Sequence, residues 1–419
     1  MRRAAALATI AVLLSPRAAE AFYSKYGDDY QVDLTSIVRI NDTLGRFPSI
    51  DGLPFEIDRG LNIAGALGRV MGTVVIGEHL SFEAHVFGLA SGQAVSPLLA
   101  GTTTADGFGA TDQGRWAGLV YRPYLRGGTV TEIAADRLNV RLNVGPLELT
   151  VGRQPINLSA TSFFVPNDFW QAFSAQTFFR VYKPGVDAVR AEVELGALTR
   201  LSLIGALGFE RTGEGAIDDP ISSEDSSGIA RFSTVVGDFE LAVLGGAAPQ
   251  RWVLGGAVQG ELFAGIGLRG EGHWAIPHDD AQEARAEIAV GLERRFESSL
   301  VLSAEYFFHG AGATDPDDYL SRSTDPVFSA GPPYFGRHYV AAAATYELTP
   351  LTNGSALLLA NLADGSFLAS VYVVRSLDDE AEASLVVSVP VGSAPKITGP
   401  TSELGAAPIT VGLEVRRYF

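Results

Sequence analysis

In Arg137-Leu138-Asn139-Val140-Arg141-Leu142-Asn143-Val144 every second residue is apolar and every intervening one is polar. Successive side chains of a strand point to opposite faces, so this segment reads as a strand with one oily and one wet face. A helix, turning about 100° per residue, would smear both classes around its circumference. The pattern recurs. Arg190, Glu192 and Glu194 interleave with Val189, Ala191, Val193 and Leu195; Arg285 and Glu287 interleave with Ala286 and Ile288; Glu83 and His85 face away from Phe82, Ala84 and Val86. Near the end, Thr410, Gly412, Glu414, Arg416 and Tyr418 alternate with Val411, Leu413, Val415, Arg417 and Phe419.

A soluble sandwich also alternates, so the connections between strands carry the decision. Very short turns join many pairs, at 145–146, 196–198, 237–238, 297–298 and 378–380. Long polar loops join others, at 90–115, 155–185, 210–227, 310–336 and 390–407. Placed backward from the C-terminus, short turns fall at one end and mostly long loops at the other. The segments expected to be strands are 33–40, 61–76, 79–91, 131–144, 147–154, 187–196, 199–209, 228–237, 239–247, 251–260, 261–274, 284–296, 299–309, 337–348, 354–361, 366–376, 381–390 and 407–419. That is 18 strands, with 16 an equally legal count, and segment 115–126 is left inside a long loop.

The expected fold class is therefore all-β: a transmembrane antiparallel up-and-down β-barrel of about 18 strands, with short periplasmic turns and long extracellular loops. In hydrocarbon every backbone N–H and C=O must be paired internally, so a spanning sheet has to close on itself. The aromatics Trp252, Trp274, Tyr306, Phe308, Tyr346, Tyr372 and Tyr418 fall near expected strand ends, where rings at headgroup level belong. The N-terminus reads as a signal peptide over 1–21: Arg2 and Arg3, an apolar core from Ala4 to Leu14, then the small-x-small site Ala19-Glu20-Ala21. That core is too short to span a bilayer. Residues 22–419 are then expected to form a single membrane barrel. Zero cysteines exclude a disulfide scaffold and any Cys-ligated metal. A net charge of −17 and a pI of about 4.8 argue against nucleic acid as a partner.

The terminal run Leu413-Glu414-Val415-Arg416-Arg417-Tyr418-Phe419 resembles the last strand of Gram-negative outer-membrane barrels. That resemblance implies recognition of the strand ending in Phe419 by the barrel-assembly machinery. A second likeness spans about 138–196. Val151-Gly152-Arg153-Gln154-Pro155-Ile156-Asn157, Phe163-Phe164-Val165-Pro166-Asn167-Asp168-Phe169 and Lys183-Pro184-Gly185-Val186-Asp187-Ala188 are similar to a pattern in alginate-export-type, porin-like large barrels. It implies an outer-membrane pore or exporter and does not imply alginate. One departure stands out: strict alternation from Leu147, Leu149 and Val151 puts Arg153 on the lipid face, so a bulge or a position beyond the membrane rim is expected there.

The expected function is a pore or exporter that lets small hydrophilic or anionic solutes diffuse through a charged lumen. Its alternative is a barrel enzyme or surface-binding barrel acting through the long loops. Pore-lining positions are assigned to Arg137, Arg141, Arg190, Glu192, Glu194, Arg200, Arg231, Arg269, Arg285 and Glu287, because charged side chains belong on the wet wall. A cluster of arginines would favour anions; the plainer reading is a salt-bridged interior without selectivity. The 155–185 loop is read as an inward-folded constriction, with Asn167, Asp168, Phe169, Trp170 and Phe173 at its centre: Asn167 or Asp168 caps a helix start, and Phe169 and Phe173 share a face. The plainer reading is an external loop packed on its neighbours. Outer-membrane lipid and lipopolysaccharide would surround the wall. No catalytic step, cofactor or metal is expected. The six histidines contain no His-Glu-x-x-His pair, Asp315, Asp317 and Asp318 lack EF-hand spacing, and Gly265-Ile-Gly267-Leu-Arg-Gly270 lies in a strand pattern rather than at a strand-to-helix turn.

Overall fold

The structure, a computed structural model, describes residues 23–95, 114–126, 128–177, 182–210, 219–279, 282–323 and 334–419. The leader expected over 1–21 lies outside the described residues. The strands are β1 (Tyr23–Tyr26), β2 (Tyr30–Arg46), β3 (Gly60–Ile76), β4 (Leu80–Val95), β5 (Val120–Arg126), β6 (Thr129–Val144), β7 (Leu147–Gln154), β8 (Val186–Gly196), β9 (Thr199–Phe209), β10 (Ile221–Val236), β11 (Phe239–Ala248), β12 (Arg251–Phe263), β13 (Ile266–Pro277), β14 (Arg285–Arg295), β15 (Val301–His309), β16 (His338–Thr349), β17 (Thr352–Asn361), β18 (Phe367–Ser376), β19 (Ala381–Val391) and β20 (Ile409–Tyr418).

Every pairing among them is antiparallel, and β2 closes the sheet on β20 from Ile37↔Tyr418 to Arg46↔Ile409. The closed wall has 18 strands, β2–β4 and β6–β20, each overlapping one of the segments expected from the sequence. Closure is what leaves no backbone edge to face hydrocarbon. The alternation sets the two surfaces. Leu138, Val140, Leu203, Val243, Leu254, Trp274, Ile288 and Leu413 are exposed on the outside, while Asn139, Ser202, Glu271, His273 and Glu287 on the opposite face are buried.

The two remaining strands were not foreseen. β1 pairs the foot of β2, continuing the line of the wall below the end of β20. β5 pairs only the upper part of β6, from Val120↔Ala134 to Arg126↔Thr129. It stands directly above β7, which pairs the lower part of β6 from Leu138 to Val144 and then stops at Gln154. The wall is thus interrupted where β7 ends, and the chain leaves the sheet at that level.

Of the aromatics assigned to the rim, Trp252, Trp274, Tyr306 and Tyr346 are exposed on the outside. Tyr372 and Tyr418 are corrected. The Tyr372 hydroxyl accepts from Arg416 Nη2 at 2.5 Å and the Tyr418 hydroxyl donates to Glu382 at 3.4 Å. Both side chains share the face of the charged residues, because their parity in β18 and β20 matches Ser370 and Arg416.

Candidate functional site: the 155–185 segment and the charged inner wall

Where β7 ends, Arg153 fills the break in the wall. Gly152 takes φ +116°, a left-handed conformation that L side chains rarely adopt, and a Cβ there would stand 2.3 Å from the Leu138 carbonyl oxygen. The pairing nevertheless runs through Leu138↔Arg153 and Arg153↔Asp187 without a register shift, so β7 carries no bulge there, and Arg153 is kept from lipid by its own partners. The guanidinium is fully buried, bonding Asp187 through Nε and Nη2, each at 2.8 Å. It also donates to the carbonyls of Ala135 at 2.8 Å and Trp116 at 3.1 Å. Such a bidentate pair with two extra carbonyls satisfies a buried guanidinium almost completely. Arg153 therefore ties β6, β8 and the approach to β5 together.

Arg115 closes the same region from the other side. It donates from Nε to Gly185 O and from Nη2 to Asp136 Oδ1, both at 2.7 Å. Arg69 Nη1 reaches the other Asp136 oxygen at 2.8 Å and its guanidinium lies 4.5 Å from the centre of the Tyr182 ring.

From Ile156 to Ala175 the segment rests against the inner face of the wall. Two wall carboxylates hold its backbone. Glu271 on β13 accepts from the N–H groups of Ala160, Thr161 (3.3 Å) and Asn167 (3.1 Å). Glu305 on β15 accepts from Ser162 (2.9 Å), Phe163 (3.1 Å) and Phe164 (2.6 Å). Six amide donors that a loop would otherwise leave to water are taken by two anions, each bond stronger than a neutral one.

Apolar contacts follow the same path. Ile156, Leu158, Phe169 and Trp170 pack with Val186, Ala188, Ile204, Ala206, Ile229, Leu244, Ala248, Val253 and Ala275 of β8–β13. Phe164 and Ala175 pack with Ala289, Phe307, Tyr339, Ala341, Leu357 and Leu359 farther round. Phe164 stacks on Phe307 with ring centres 4.9 Å apart. Many of these wall positions are alanine, which leaves the segment room to lie down.

The helix expected at 166–173 does not form: Asp168 still accepts from the N–H two residues on, as a cap would, but Asn167 is engaged elsewhere and the chain turns away at Gln171. Asn167 donates from Nδ2 to Gly256 O at 3.0 Å, and its Oδ1 lies 3.3 Å from His273 Nδ1. Asp168 accepts from Trp170 N at 3.3 Å and pairs with Lys183. Gln171 has φ 59°, which ends any helical run. Phe169 and Trp170 are buried, with the indole N–H donating to Ser227 at 2.9 Å, while Phe173 is half-buried. Burial pushes the Asp168 carboxyl up against the opposing pull of Lys183, and it pulls the Lys183 ammonium down.

The assigned charges form a mesh rather than a single cluster. Arg137 donates to Glu83 at 2.9 Å. Arg141 and Arg190 both approach Glu148, at 3.4 and 3.6 Å. Arg190 and Arg200 flank Glu192, and Arg200 also reaches Glu194 at 3.3 Å. Arg231 pairs with Glu240 at 3.2 Å. Beneath Asn157 and Ser159, Arg190, Arg200 and Arg231 border a polar recess of about 260 Å³ with Glu192, Glu240 and Gln259. Arg269 stands apart, near Ala160 O at 3.5 Å. Arg285 and Glu287 are buried, with Glu287 3.8 Å from His309.

A second arc escaped the sequence reading. Arg39 on β2 binds Glu414 on β20 at 2.6 Å, and Arg416 bridges Glu414 at 2.8 Å and Glu382 at 3.4 Å. Its residues come from the two ends of the chain and meet only on closure. Alternation in β20 had marked Glu414 and Arg416 as wet, and that signal was available.

The sequence matches no protein-family description and no curated protein. Solved structures are similar to it in fold. Pseudomonas aeruginosa OccK9 (OpdG) aligns with a TM-score of 0.57 at 10% identity, over 93% of this chain and 98% of that one. Acinetobacter baumannii OccAB3 gives 0.56 at 10% identity, over 93% and 99%. Pseudomonas aeruginosa OccK7 (OpdD) gives 0.52 at 11% identity, over 94% and 99%. The fold is a porin-like closed barrel of 18 strands.

Proposed function

We propose that this chain is an outer-membrane channel through which small hydrophilic or anionic solutes diffuse passively, and that the 155–185 segment narrows its lumen. The observation that carries the reading is the seating of that segment on Glu271 and Glu305. Both carboxylates point away from the lipid-facing Trp274 and Tyr306, so a segment bonded to them crosses the barrel interior.

The apolar seat runs along β8–β18. Passage is therefore left between the segment and the arc of β19, β20, β2 and β3, where Arg39, Arg69, Glu382, Glu414 and Arg416 stand. Fixed charges of both signs along this wall replace part of a solute's hydration, and guanidiniums offer paired donors to carboxylates and phosphates. The short-turn end would face the periplasm and the long-loop end the exterior, with lipid and lipopolysaccharide around the wall. The strand ending in Phe419 would be the part read by the barrel-assembly machinery. No catalytic residue, cofactor or metal enters the proposal.

Purified protein in planar bilayers tests it. Stepwise ion conductance is expected, and its size should grow when 163–175 is deleted from a chain that still assembles. Absence of conductance in the assembled protein would remove the channel, and unchanged conductance in the deletion would remove the constriction.

A further inference from the structure

At the long-loop end, behind the seat of Phe164, two carboxyl groups meet at one buried asparagine. Asn361, the last residue of β17, is fully buried. Its Nδ2 lies 2.8 Å from Glu403 Oε2 and 3.1 Å from Asp364 Oδ2. Glu403, just before β20, also accepts from the Tyr339 hydroxyl and from the N–H groups of Phe335 and Gly336, both at 3.2 Å. Asp364, in the β17–β18 turn, accepts from Tyr319 at 2.9 Å and from the Glu403 N–H at 2.8 Å. One small polar centre thereby ties Tyr319 and the segments 334–336, 362–366 and 402–406 together.

We propose that Glu403 and Asp364 form a proton-operated latch that closes these three outer segments on one another and stiffens the seat of the 155–185 segment. The titratable groups around Glu403 are Asp364 from the turn, Tyr339 from β16 and Tyr319 from the short helix Tyr319–Ser323. A second carboxyl group beside it in a poorly hydrated place makes the Glu403 anion costly. Burial is the main cause that holds the Glu403 carboxyl up at about 7, Asp364 adds to it, and the donors from Tyr339, Gly336 and Phe335 oppose it.

The link to the inner segment is direct. The Tyr339 ring lies 5.0 Å from Tyr334 and 6.0 Å from Phe164, and the Tyr334 hydroxyl accepts from Ala175 N at 3.2 Å.

The closed latch holds a proton that an opened, hydrated Glu403 would release in the ordinary carboxyl range. The ratio of opened to closed forms should then rise about tenfold per pH unit up to about pH 7 and level off above it. Hydrogen exchange of the detergent-solubilised full chain reads this ratio, after correction for the intrinsic pH dependence of exchange. Peptides covering 334–339, 361–366 and 401–406 should show that slope and plateau, and those covering 160–170 a weaker version. Glu403→Gln should abolish the slope, and Asp364→Asn should move the start of the plateau to lower pH. A flat wild-type profile, or a slope that survives in E403Q, overturns the latch. If E403Q does not assemble, the D364N profile decides, and an unmoved plateau counts against it. None of these readouts needs ion conductance, so they stand apart from the test of the channel.

Discussion

Replacing Glu305 by Gln tests the seating of the inner segment with one functional group. The carboxylate receives Ser162 N on Oε2 at 2.9 Å and Phe163 N and Phe164 N on Oε1 at 3.1 and 2.6 Å. An amide of the same shape keeps one acceptor oxygen. In its better orientation it retains the Phe163 and Phe164 bonds as neutral ones and turns an NH₂ toward the Ser162 N–H. A hydrogen bond to a charged group contributes about 1.5–3 kcal/mol and a neutral one about 1 kcal/mol. Losing one and weakening two makes the seated state about 3 kcal/mol less favourable, or about a hundredfold in the seated-to-unseated ratio.

Strand pairing does not depend on this side chain, since Glu305 pairs Gly291 and Ala341 through its backbone. The barrel should therefore keep its heat-modifiable mobility on SDS gels. In planar bilayers Glu305→Gln should show frequent excursions to a larger conductance and more open-channel noise than the wild type. A correctly assembled E305Q channel with wild-type conductance and noise would refute the argument that this carboxylate holds the constriction.

The wall was legible because β-strands with one face in lipid and one in water alternate, and the pattern recurs along the chain between short turns and long loops. What escaped has particular causes. β5 is half a strand with Pro123 inside it; the end of β7 at Gln154 was legible, but nothing local says that a piece of the preceding loop fills the sheet above it. Tyr372 and Tyr418 sit near strand ends, yet parity and not height decides which face a ring takes.

The inner segment had an indirect signal. Where alternation fails and both faces turn apolar, as in Leu203-Ile204-Gly205-Ala206-Leu207 and Leu357-Leu358-Leu359, something must cover the inner face. Those strands are the ones on which Ile156, Phe164, Phe169 and Trp170 pack. The anchors Glu271 and Glu305 could not be told from other wet-face acids, since their partners are backbone groups about 110 and 140 residues away in the chain.

Three further perturbations probe separate links. Replacing Arg39, on the arc left to passage, by Glu should move the reversal potential in a salt gradient toward cation selectivity, because that wall loses a cation and gains an acid; an unchanged potential would place the current elsewhere. Gly152→Ala should lower the yield of assembled barrel sharply, since its Cβ would stand 2.3 Å from Leu138 O at φ +116°; normal assembly would show that the break in the wall can relax. Lys183→Met leaves the buried Asp168 carboxylate without its partner, and breaking such a pair costs about 3–5 kcal/mol. Burial already raises Asp168, and without Lys183 it rises further. Between the ordinary Asp range and that raised value the seated form holds a proton the released form does not, so seating weakens as pH rises through the window. Proteolysis within 155–177 should therefore accelerate with pH in K183M, beyond the protease's own pH profile. The double variant Asp168→Asn/Lys183→Met, which carries no buried charge, should be resistant and flat with pH. Equal cleavage of the single and double variants would mean that the ion pair does not hold the segment.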